Sequence, residues 1–502
     1  MQRRNLLRLA SAYAAGAAFA PPLFAEAAAD PWMADFLKAE AALPWTLGYR
    51  TPAGDFGGAS AQVTGRFPAA VQGVLFRNGP AIHDMGGQRY QHWFDGDGMV
   101  QRYAITATGV AHSGKVVRTP KFVAEKAAGK RLLEGFGSKW PGLQQVTGPD
   151  AFNAANTSVL SVNGELLALW EGGSAFAIDP VTLETRGAKV WSQETRGVPF
   201  SAHPRVDSDG TVWNFGVSAL SDMLVLYEIG PDAKLRRAQP VRTPHTSYVH
   251  DFAITERHLV FLMPPLVLER SRMHEGHSFV DSHRWRPELG MRVLVVDKAD
   301  LSRQQWLELP AGFMFHLGNA WEDAQGIIRV DYVHAATPGV LYGTDRALMR
   351  GQMSPRPEYH IAIARLDPAR GKASQELLKV QAEFPRIDPR LTGRRHCHLL
   401  HASQSQATHP GFSAVARTAV ETGHTDMYSY GADHMVEEHL FIPEPGTAPG
   451  GAGWVLGTAL DLKQRCTVLA CFRADHLSDG PVALAKLPYA LPLGLHATFT
   501  QS

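Results

Sequence analysis

The chain has 502 residues and a formal net charge of +1, with 45% hydrophobic residues, 19% charged residues and a mean hydropathy of −0.16. These values are ordinary for a globular protein and exclude a polytopic membrane protein. The near-neutral charge offers no electrostatic footprint for nucleic acid. Three cysteines, Cys397, Cys466 and Cys471, exclude a disulfide framework, and the run containing the last two has the pattern of a buried strand.

The amino-terminal segment has the composition of an export signal. Arg3 and Arg4 form a basic start, an apolar stretch runs from about Leu6 to Ala20, and small residues around Ala27 offer a cleavage site. The apolar stretch is too short and too rich in alanine to anchor the chain stably across a bilayer.

The paired arginines resemble a twin-arginine signal, although Gln2 precedes them where serine or threonine is usual. That route exports folded proteins, which suits a metal loaded in the cytoplasm, and a Sec signal is the alternative. We therefore expect residues 1–29 to be a signal peptide, residues 30–502 to form a single domain, and the mature protein to work in a bacterial periplasm.

Short apolar runs separated by turn signals dominate the rest of the chain. Asn163–Gly164 lies between two such runs and predicts a tight β-hairpin. Amphipathic helices are predicted over Pro31–Ala42 and near Asp345–Gly351, and Pro443–Gly453 has the composition of a loop. An all-β domain of this length favours a propeller, because a sandwich seldom grows so large.

Four of the 22 histidines lie beside an aromatic residue or a proline and next to an alternating apolar run: His203, His250, His316 and His496. Each by itself would more often be an ordinary buried or surface imidazole. None is paired at helical spacing, so they can meet only in a fold whose strands converge on one axis, as those of a propeller do. A site of four neutral nitrogens favours iron(II) and oxygen chemistry over structural zinc.

Motifs spread almost from end to end carry a family resemblance. In chain order they are FRNGP at Phe76–Pro80, HWFDGDGMV at His92–Val100, ALWEGG at Ala168–Gly173, AHPRVD, VHDFAIT, FHLGNAWE, EFPRIDPR at Glu383–Arg390, EEHLFIP at Glu437–Pro443 and LHATF. This set resembles the carotenoid cleavage oxygenases, non-haem iron enzymes that split polyene or stilbene double bonds. The resemblance implies a seven-bladed β-propeller with a dome of loops and helices over one face, and Fe(2+) as the cofactor.

The resemblance also implies that the four histidines are the iron ligands and that three carboxylates hold their rings. These carboxylates fall on Glu171, Glu383 and Glu438. A carboxylate that accepts the second N–H of an imidazole fixes its tautomer and raises its basicity. Glu437 competes with Glu438, and the spacing to the following LF pair favours Glu438. Glu322, in NAWED, is expected to be structural.

Thr157, in AANTSV, resembles the family position whose side chain crowds the sixth coordination position of the metal. Its methyl group would leave one favourable opening for O2, and a strand threonine without that role is the alternative. The resemblance implies that the enzyme adds one oxygen atom to each alkene carbon and releases two carbonyl products. An apolar tunnel would position the polyene substrate.

The predicted substrate is a carotenoid or apocarotenoid, and the alternative is a stilbene or another phenylpropanoid. Stilbene-cleaving members of the family activate a 4-hydroxyl group with a tyrosine and a lysine. In this chain His112 stands at the position of that tyrosine, and the expected lysine is missing from the segment before Asn156. Both departures favour a carotenoid. A non-catalytic module that binds an apolar ligand and a retinoid-type isomerase are further alternatives.

The expected partners are an apolar polyene and O2, with no nucleic acid. Leu259–Leu268 contains more apolar surface than a single strand needs. In the family, such a stretch lies near the tunnel mouth, so this segment is a candidate for peripheral membrane contact, with plain burial as the alternative. The sequence does not indicate the oligomeric state.

Overall fold

The computed structural model describes residues 30–144, 146–355, 358–405 and 408–501. Strands dominate it, and seven antiparallel sheets of four to six strands form the blades of a β-propeller. The predicted fold class is therefore confirmed. The predicted export signal, residues 1–29, lies outside the described residues.

Blade 1 is the sheet that joins the last strand to strands near the start of the described chain, and blades 2 to 7 follow in chain order. The strands of each blade are given from the axis outward. Blade 1 contains Ala497–Gln501, Gly73–Arg77, Asp97–Ile105, Val110–Val116 and Phe56–Ser60, with Pro80–Ile82 also paired to its third strand. Blade 2 contains Ser158–Val162, Glu165–Leu169, Phe176–Ile178 and Thr185–Ala188. Blade 3 contains Arg205–Val206, Val212–Ser218, Met223–Ile229 and Leu235–Arg242.

The remaining four blades follow in chain order. Blade 4 contains Ala253–Ile254, His258–Met263, Met291–Asp297 and Gln304–Leu309. Blade 5 contains Leu317–Glu322, Ile328–His334, His360–Asp367 and Lys372–Gln381. Blade 6 contains Glu383–Arg386, His398–Ser403, Ala414–Ala419 and Thr425–Ser429. Blade 7 contains His434–Pro443, Gly453–Asp461, Cys466–Arg473, Ala483–Lys486 and Gln62–Gly65.

The elements outside the blades are short. The α-helices are Pro31–Glu40, Pro120–Ala128, Arg270–His274 and Asp345–Met349, and a π-helix spans Val340–Thr344. Two small hairpins pair Leu266–Leu268 with His283–Trp285, and Asp84–Met85 with Gln88–Arg89. Helices therefore form at both predicted places. The first begins at Pro31 because Asp30 caps it, accepting a hydrogen bond from Trp32 N at 3.1 Å.

Both ends of the described chain help to close the ring of blades. Gly73–Arg77 pairs with the last strand, Ala497–Gln501, and Gln62–Gly65 forms the outermost strand of blade 7 beside Ala483–Lys486. Backbone ladders between distant segments thus hold the first and last blades. This closure fixes the position of His496, which immediately precedes the last strand.

Local turn chemistry agrees with the sequence. Asn163 and Gly164 both have positive φ, 48° and 75°, and join Ser158–Val162 to Glu165–Leu169. This is the geometry that favours Asn-Gly in a two-residue hairpin, so the predicted hairpin is confirmed. Pro443–Gly453 is the connection between the first two strands of blade 7, as its composition predicted.

The core lies between adjacent blades, and it accounts for the apolar segment Leu259–Leu268. Leu259 and Phe261 pack with side chains of blade 3, whereas Val260 and Leu262 pack with side chains of blade 5. The strand is apolar on both faces because both are covered. Burial between two blades is therefore what the structure shows for these four residues, and peripheral membrane contact through the segment stays a prediction. No helix in the described ranges is long and apolar enough to cross a membrane.

Candidate metal centre and substrate cavity

The four histidines lie where their blades reach the axis. His203, His250, His316 and His496 precede the innermost strands of blades 3, 4, 5 and 1 by one to three residues. Each of these blades places its histidine just before the innermost strand, next to the propeller axis. Histidines far apart in sequence therefore lie close together. The three other blades place Thr157, Glu383 and Glu438 on or just before their innermost strands.

The histidine side chains form a cage. Nε2 of His250 lies 2.9 Å from Nε2 of His203 and 3.3 Å from Nε2 of His316. Nε2 of His316 lies 3.1 Å from Nε2 of His496, and one nitrogen of each ring lies within 4.8 Å of all the others. Nitrogen lone pairs converging this closely repel one another unless a cation lies between them. The donor set therefore fits a metal that accepts imidazole, such as iron, copper or zinc.

Three carboxylates meet the opposite nitrogens of three rings. Glu171 Oε1 lies 2.5 Å from Nδ1 of His250, and Glu383 Oε2 lies 2.5 Å from Nδ1 of His316. Glu438 Oε1 lies 2.8 Å from Nδ1 of His496. At His316 and His496 an N–H at Nδ1 donates to the carboxylate, and at His250 Nδ1 faces Glu171, so the Nε2 lone pair of each ring is left to point toward the cage centre. The carboxylates also place three negative charges around a site of neutral ligands.

Charge and burial shift the pKa values of three cage histidines in different directions. Burial lowers the pKa of His203 well below its ordinary value, and the neighbouring rings lower it further. Burial also lowers the pKa of His496 to about 4, against the opposing effect of Glu438. For His250, burial is outweighed by Glu171, so its pKa is raised. A proton therefore competes with a metal more strongly at His250 than at His203 or His496.

The adjacent residues Glu437 and Glu438 of blade 7 have different partners. Glu438 accepts hydrogen bonds from Arg386 Nε and from Ala497 N, both at 2.7 Å, in addition to facing His496. Burial would raise the pKa of Glu438, but Arg386 and His496 hold it far below its usual value. Glu437 instead lies 2.5 Å from Arg77 Nη1 and is also bonded to Thr458. The structure thus places Glu438, and not Glu437, beside a cage histidine.

Two further residues singled out in the sequence lie away from the cage. Glu322 accepts hydrogen bonds from Thr255 and Arg257 and pairs with His258 on blade 4, which is a structural arrangement. His112 lies in an outer strand of blade 1, between Tyr489 and Gln101. It does not line the cavity described below. His112 therefore gives no information on the substrate, because it does not face the cavity, and the preference for a carotenoid stays a prediction.

Thr157 adjoins the cage. Its carbonyl accepts a hydrogen bond from the backbone N–H of His496 at 3.4 Å, and its side chain lines the cavity above the histidines. The Thr157 hydroxyl donates to Asn156 Oδ1 at 3.1 Å, and Asn156 is itself fixed by donating to the carbonyls of Phe94 and Gly96. The hydroxyl is thus engaged by a rigid neighbour.

A cavity of about 1310 Å³ lies over one face of the cage. His250, His316 and His496 form part of its wall, and the aromatic residues that line it include Phe94, Phe136, Trp170, Tyr248, Phe315 and Phe384. Leu220 and Met273 also line the cavity and are 42% and 37% exposed, so the cavity reaches the protein surface beside them. The cavity thus connects these two exposed apolar side chains with the metal cage.

Phe384 is a site residue that pattern reasoning did not identify. It has φ of +54°, a conformation that costs a non-glycine residue about 1–3 kcal/mol. Its backbone N–H donates to Glu383 Oε2 at 2.6 Å, and its ring centre lies 5.4 Å from those of His316 and His496. The strained backbone of Phe384 thus donates a hydrogen bond to Glu383 and places the phenyl ring in the cavity wall. The motif EFPRIDPR contained this residue, but only the backbone angle marks it.

Known proteins resemble this chain over most of its length. The family model for retinal pigment epithelial membrane protein matches residues 54–501. Apocarotenoid-15,15'-oxygenase of Synechocystis is 30% identical over 478 residues, covering 91% of this chain and 96% of that protein. Resveratrol cleavage oxygenase 1 of Aspergillus fumigatus is 28% identical over 466 residues, covering 87% of this chain and 91% of that protein.

Solved structures give the same result. The structure of cobalt-substituted Synechocystis ACO matches with a TM-score of 0.84 and 28% identity, covering 91% of this chain and 98% of that chain. The likeness extends over the whole propeller rather than over single blades. The resemblance inferred from the motifs is confirmed: this chain belongs to the carotenoid cleavage oxygenase family, the family of the retinal pigment epithelial membrane protein.

Proposed function

We propose that this protein is a non-haem Fe(2+) dioxygenase that cleaves a carbon–carbon double bond of a carotenoid or apocarotenoid with O2. The observation that carries the proposal is the convergence of four imidazole Nε2 atoms on the floor of a large aromatic cavity. The cage would hold the metal through His203, His250, His316 and His496. When bound, iron(II) would activate O2 through its accessible higher oxidation state, which zinc in the same cage lacks, while the alkene itself is what O2 oxidises overall.

The protein residues have three tasks in this reaction. Glu171, Glu383 and Glu438 keep the Nδ1 proton on three ligands, so each Nε2 stays available to the metal. Thr157 narrows the approach to the cage, which limits how O2 and substrate reach it. The aromatic wall excludes water and holds the alkene in place. One oxygen atom is added to each alkene carbon, and two aldehyde or ketone products result.

The size and lining of the cavity support a long apolar substrate. At about 1310 Å³ it exceeds the ~300–1,000 Å³ typical of pockets for drug-sized ligands. Trp170, immediately before Glu171, lines it and packs edge-to-face against Phe152 with ring centres 4.8 Å apart. An extended polyene would fill this volume, whereas a two-ring stilbene would leave much of it to water.

Stilbene or phenylpropanoid cleavage is the second candidate, and specific cavity residues favour it. Tyr49, Tyr248, Tyr359 and Lys139 all line the cavity and offer groups that could bind a phenol. A relative that shares 28% identity is named for resveratrol cleavage. A substrate phenol would have to reach one of these groups while its alkene lies over the cage.

We further propose that the mature protein works in the periplasm after export by the amino-terminal signal. The surface opening beside Leu220 and Met273 would then be the route by which apolar substrate enters from the surroundings. Cell fractionation with an antibody to the mature chain tests the location. Recovery of the protein in the cytoplasm with its signal uncleaved would contradict the proposal.

Reconstitution decides between the two substrates. The purified protein is loaded with Fe(2+), offered an apocarotenal or a 4-hydroxystilbene under air, and the products are identified by mass. We expect the apocarotenal to yield two carbonyl fragments, each carrying one atom from 18O2. Cleavage of the stilbene alone would establish the second candidate. Binding of both without consumption of either would contradict an oxygenase function.

A further inference from the structure

A hydrogen-bonded arginine and aspartate lie directly behind three of the cage histidines. Arg205 is two residues after His203, and Asp251 directly follows His250. Arg205 Nη2 lies 2.7 Å from Asp251 Oδ2. The pair is largely withdrawn from water, since the Arg205 side chain is 16% exposed and that of Asp251 is 2% exposed.

The guanidinium of Arg205 spans two other blades. Its Nε donates to the carbonyl of Phe252 in blade 4 at 2.7 Å. Its two terminal nitrogens donate to carbonyls of blade 5: Nη2 to Leu317 at 2.8 Å and Nη1 to Gly318 at 3.3 Å. Because the innermost strands of blades 3, 4 and 5 belong to three separate sheets, no β-ladder fixes them to one another. One planar side chain therefore joins three strands.

A β-bulge exposes the carbonyls that Arg205 uses. The pairing of blade 5 shifts between Leu317, which pairs with Tyr332, and Asn319, so the ladder is interrupted at Gly318, two residues after His316. A bulge leaves backbone groups unpaired, and bulges occur preferentially beside active sites. Here the carbonyls at the interruption accept from Arg205 instead of from a neighbouring strand.

Asp251 completes the connection. Its Oδ1 accepts from Phe252 N at 2.7 Å, and its Oδ2 accepts from Leu317 N at 2.8 Å as well as from Arg205. Leu317 is the residue that directly follows His316. Asp251, which follows His250, is thus linked through its carboxylate to Leu317, which follows His316. Charge-assisted hydrogen bonds of this kind are short and directional.

We propose that Arg205 and Asp251 are positioning residues, which hold His203, His250 and His316 at their mutual distances before metal binds. The inference rests on the proposed metal function of the cage. Neither residue faces the cage centre, so neither acts as a ligand. The planar fork of arginine is required, because lysine would supply one point charge and could not reach all three strands.

The test is titration of metal-depleted full-length protein with cobalt(II), followed by its visible absorption and by competition with a chelator. The variants are R205K and D251N, and circular dichroism reports whether each is folded. The matched control is R237K. Arg237 also joins blade 3 to blade 4, through Glu228 and the carbonyls of Lys298 and Ala299, but it does so at the outer edge of the blades.

We expect R205K and D251N to bind cobalt about 10–100-fold more weakly than wild type, as is typical when groups that orient metal ligands are lost. Their cobalt absorption bands should also shift, while R237K keeps the affinity and spectrum of wild type. Equal melting-temperature losses in all three variants with unchanged cobalt affinity and spectrum would overturn the proposal. If R205K does not fold, D251N decides the question. Failure of the wild type to bind cobalt would instead overturn the proposed function itself.

Discussion

Glu438 Oε1 lies 2.8 Å from Nδ1 of His496 and accepts a second hydrogen bond from Arg386, whereas the adjacent Glu437 forms a salt bridge with Arg77. Two consecutive acids on one strand therefore have different tasks. One orients a cage histidine, and the other neutralises a buried arginine. This division makes the pair a sharp test of the site.

We expect Glu438→Gln to weaken metal binding by about 10–100-fold, because the amide lacks the charge that keeps the Nδ1 proton on His496. Titration with cobalt(II) measures this affinity. Glu437→Gln is the control, and it should lower the melting temperature while leaving metal affinity unchanged, since Arg77 loses its buried partner. Equal metal affinities in the two variants would contradict the assignment of Glu438.

His250→Ala should remove stoichiometric metal binding and turnover together, because the cage loses one of four donors and Glu171 loses its partner. Metal content per chain and oxygen consumption are the measurements. His112→Ala is the control: His112 is equally buried but lies in an outer strand of blade 1, so its loss should leave metal content intact. Full iron content in the His250 variant would show that the ligand set is different.

Metal removal should lower thermal stability. A ligand that binds only the folded state stabilises it by about 2.7 kcal/mol when its free concentration is a hundred times its dissociation constant. We expect chelation to lower the melting temperature and either Fe(2+) or Zn(2+) to restore it. Turnover should return with Fe(2+) alone, since zinc has no accessible second oxidation state. Turnover with zinc would contradict the proposed oxygen chemistry.

A buried ionic cluster outside the cage should make stability depend on pH. Lys121 Nζ lies 2.6 Å from Asp97 Oδ1, and Arg131 Nη1 lies 3.0 Å from Glu125 Oε2. Burial would raise the pKa of Glu125, but Lys121 and Arg131 outweigh it and lower that pKa below 4.5. Because the folded-state pKa is depressed, Glu125 stabilises the fold above pH 4.5, and this contribution is lost as the pH falls through the folded value.

Glu125→Gln tests this dependence. The variant should melt at a lower temperature at neutral pH, and its melting temperature should fall less steeply than that of wild type as the solution is acidified below pH 4.5. Melting curves recorded across this range measure both effects. Glu184→Gln is the control, because Glu184 pairs with Lys115 on the surface and is 59% exposed. Parallel curves for wild type and the Glu125 variant would rule out the cluster as the cause.

Short sequence patterns were enough to predict the local elements and the chemical types of residue in the site. Asn163–Gly164 required a hairpin, and strand density without long helices favoured a propeller. Four histidines just before strands indicated a metal site with converging ligands. These features follow from short-range physics, since turn conformation and the two-residue period of a strand depend on neighbouring residues.

Only the tertiary structure decided which side chains face the axis. Neighbouring strand residues point to opposite faces, but a bulge between Val436 and His439 breaks the alternation, so the spacing to the LF pair could favour Glu438 and only the fold supplies its contact with His496. The apolar run Leu259–Leu268 has the same pattern whether two blades or a membrane cover it. The link from Arg205 to blades 4 and 5 exists because closure of the ring brings three separate sheets together. Contacts of this kind join residues far apart in sequence, and no local pattern encodes them.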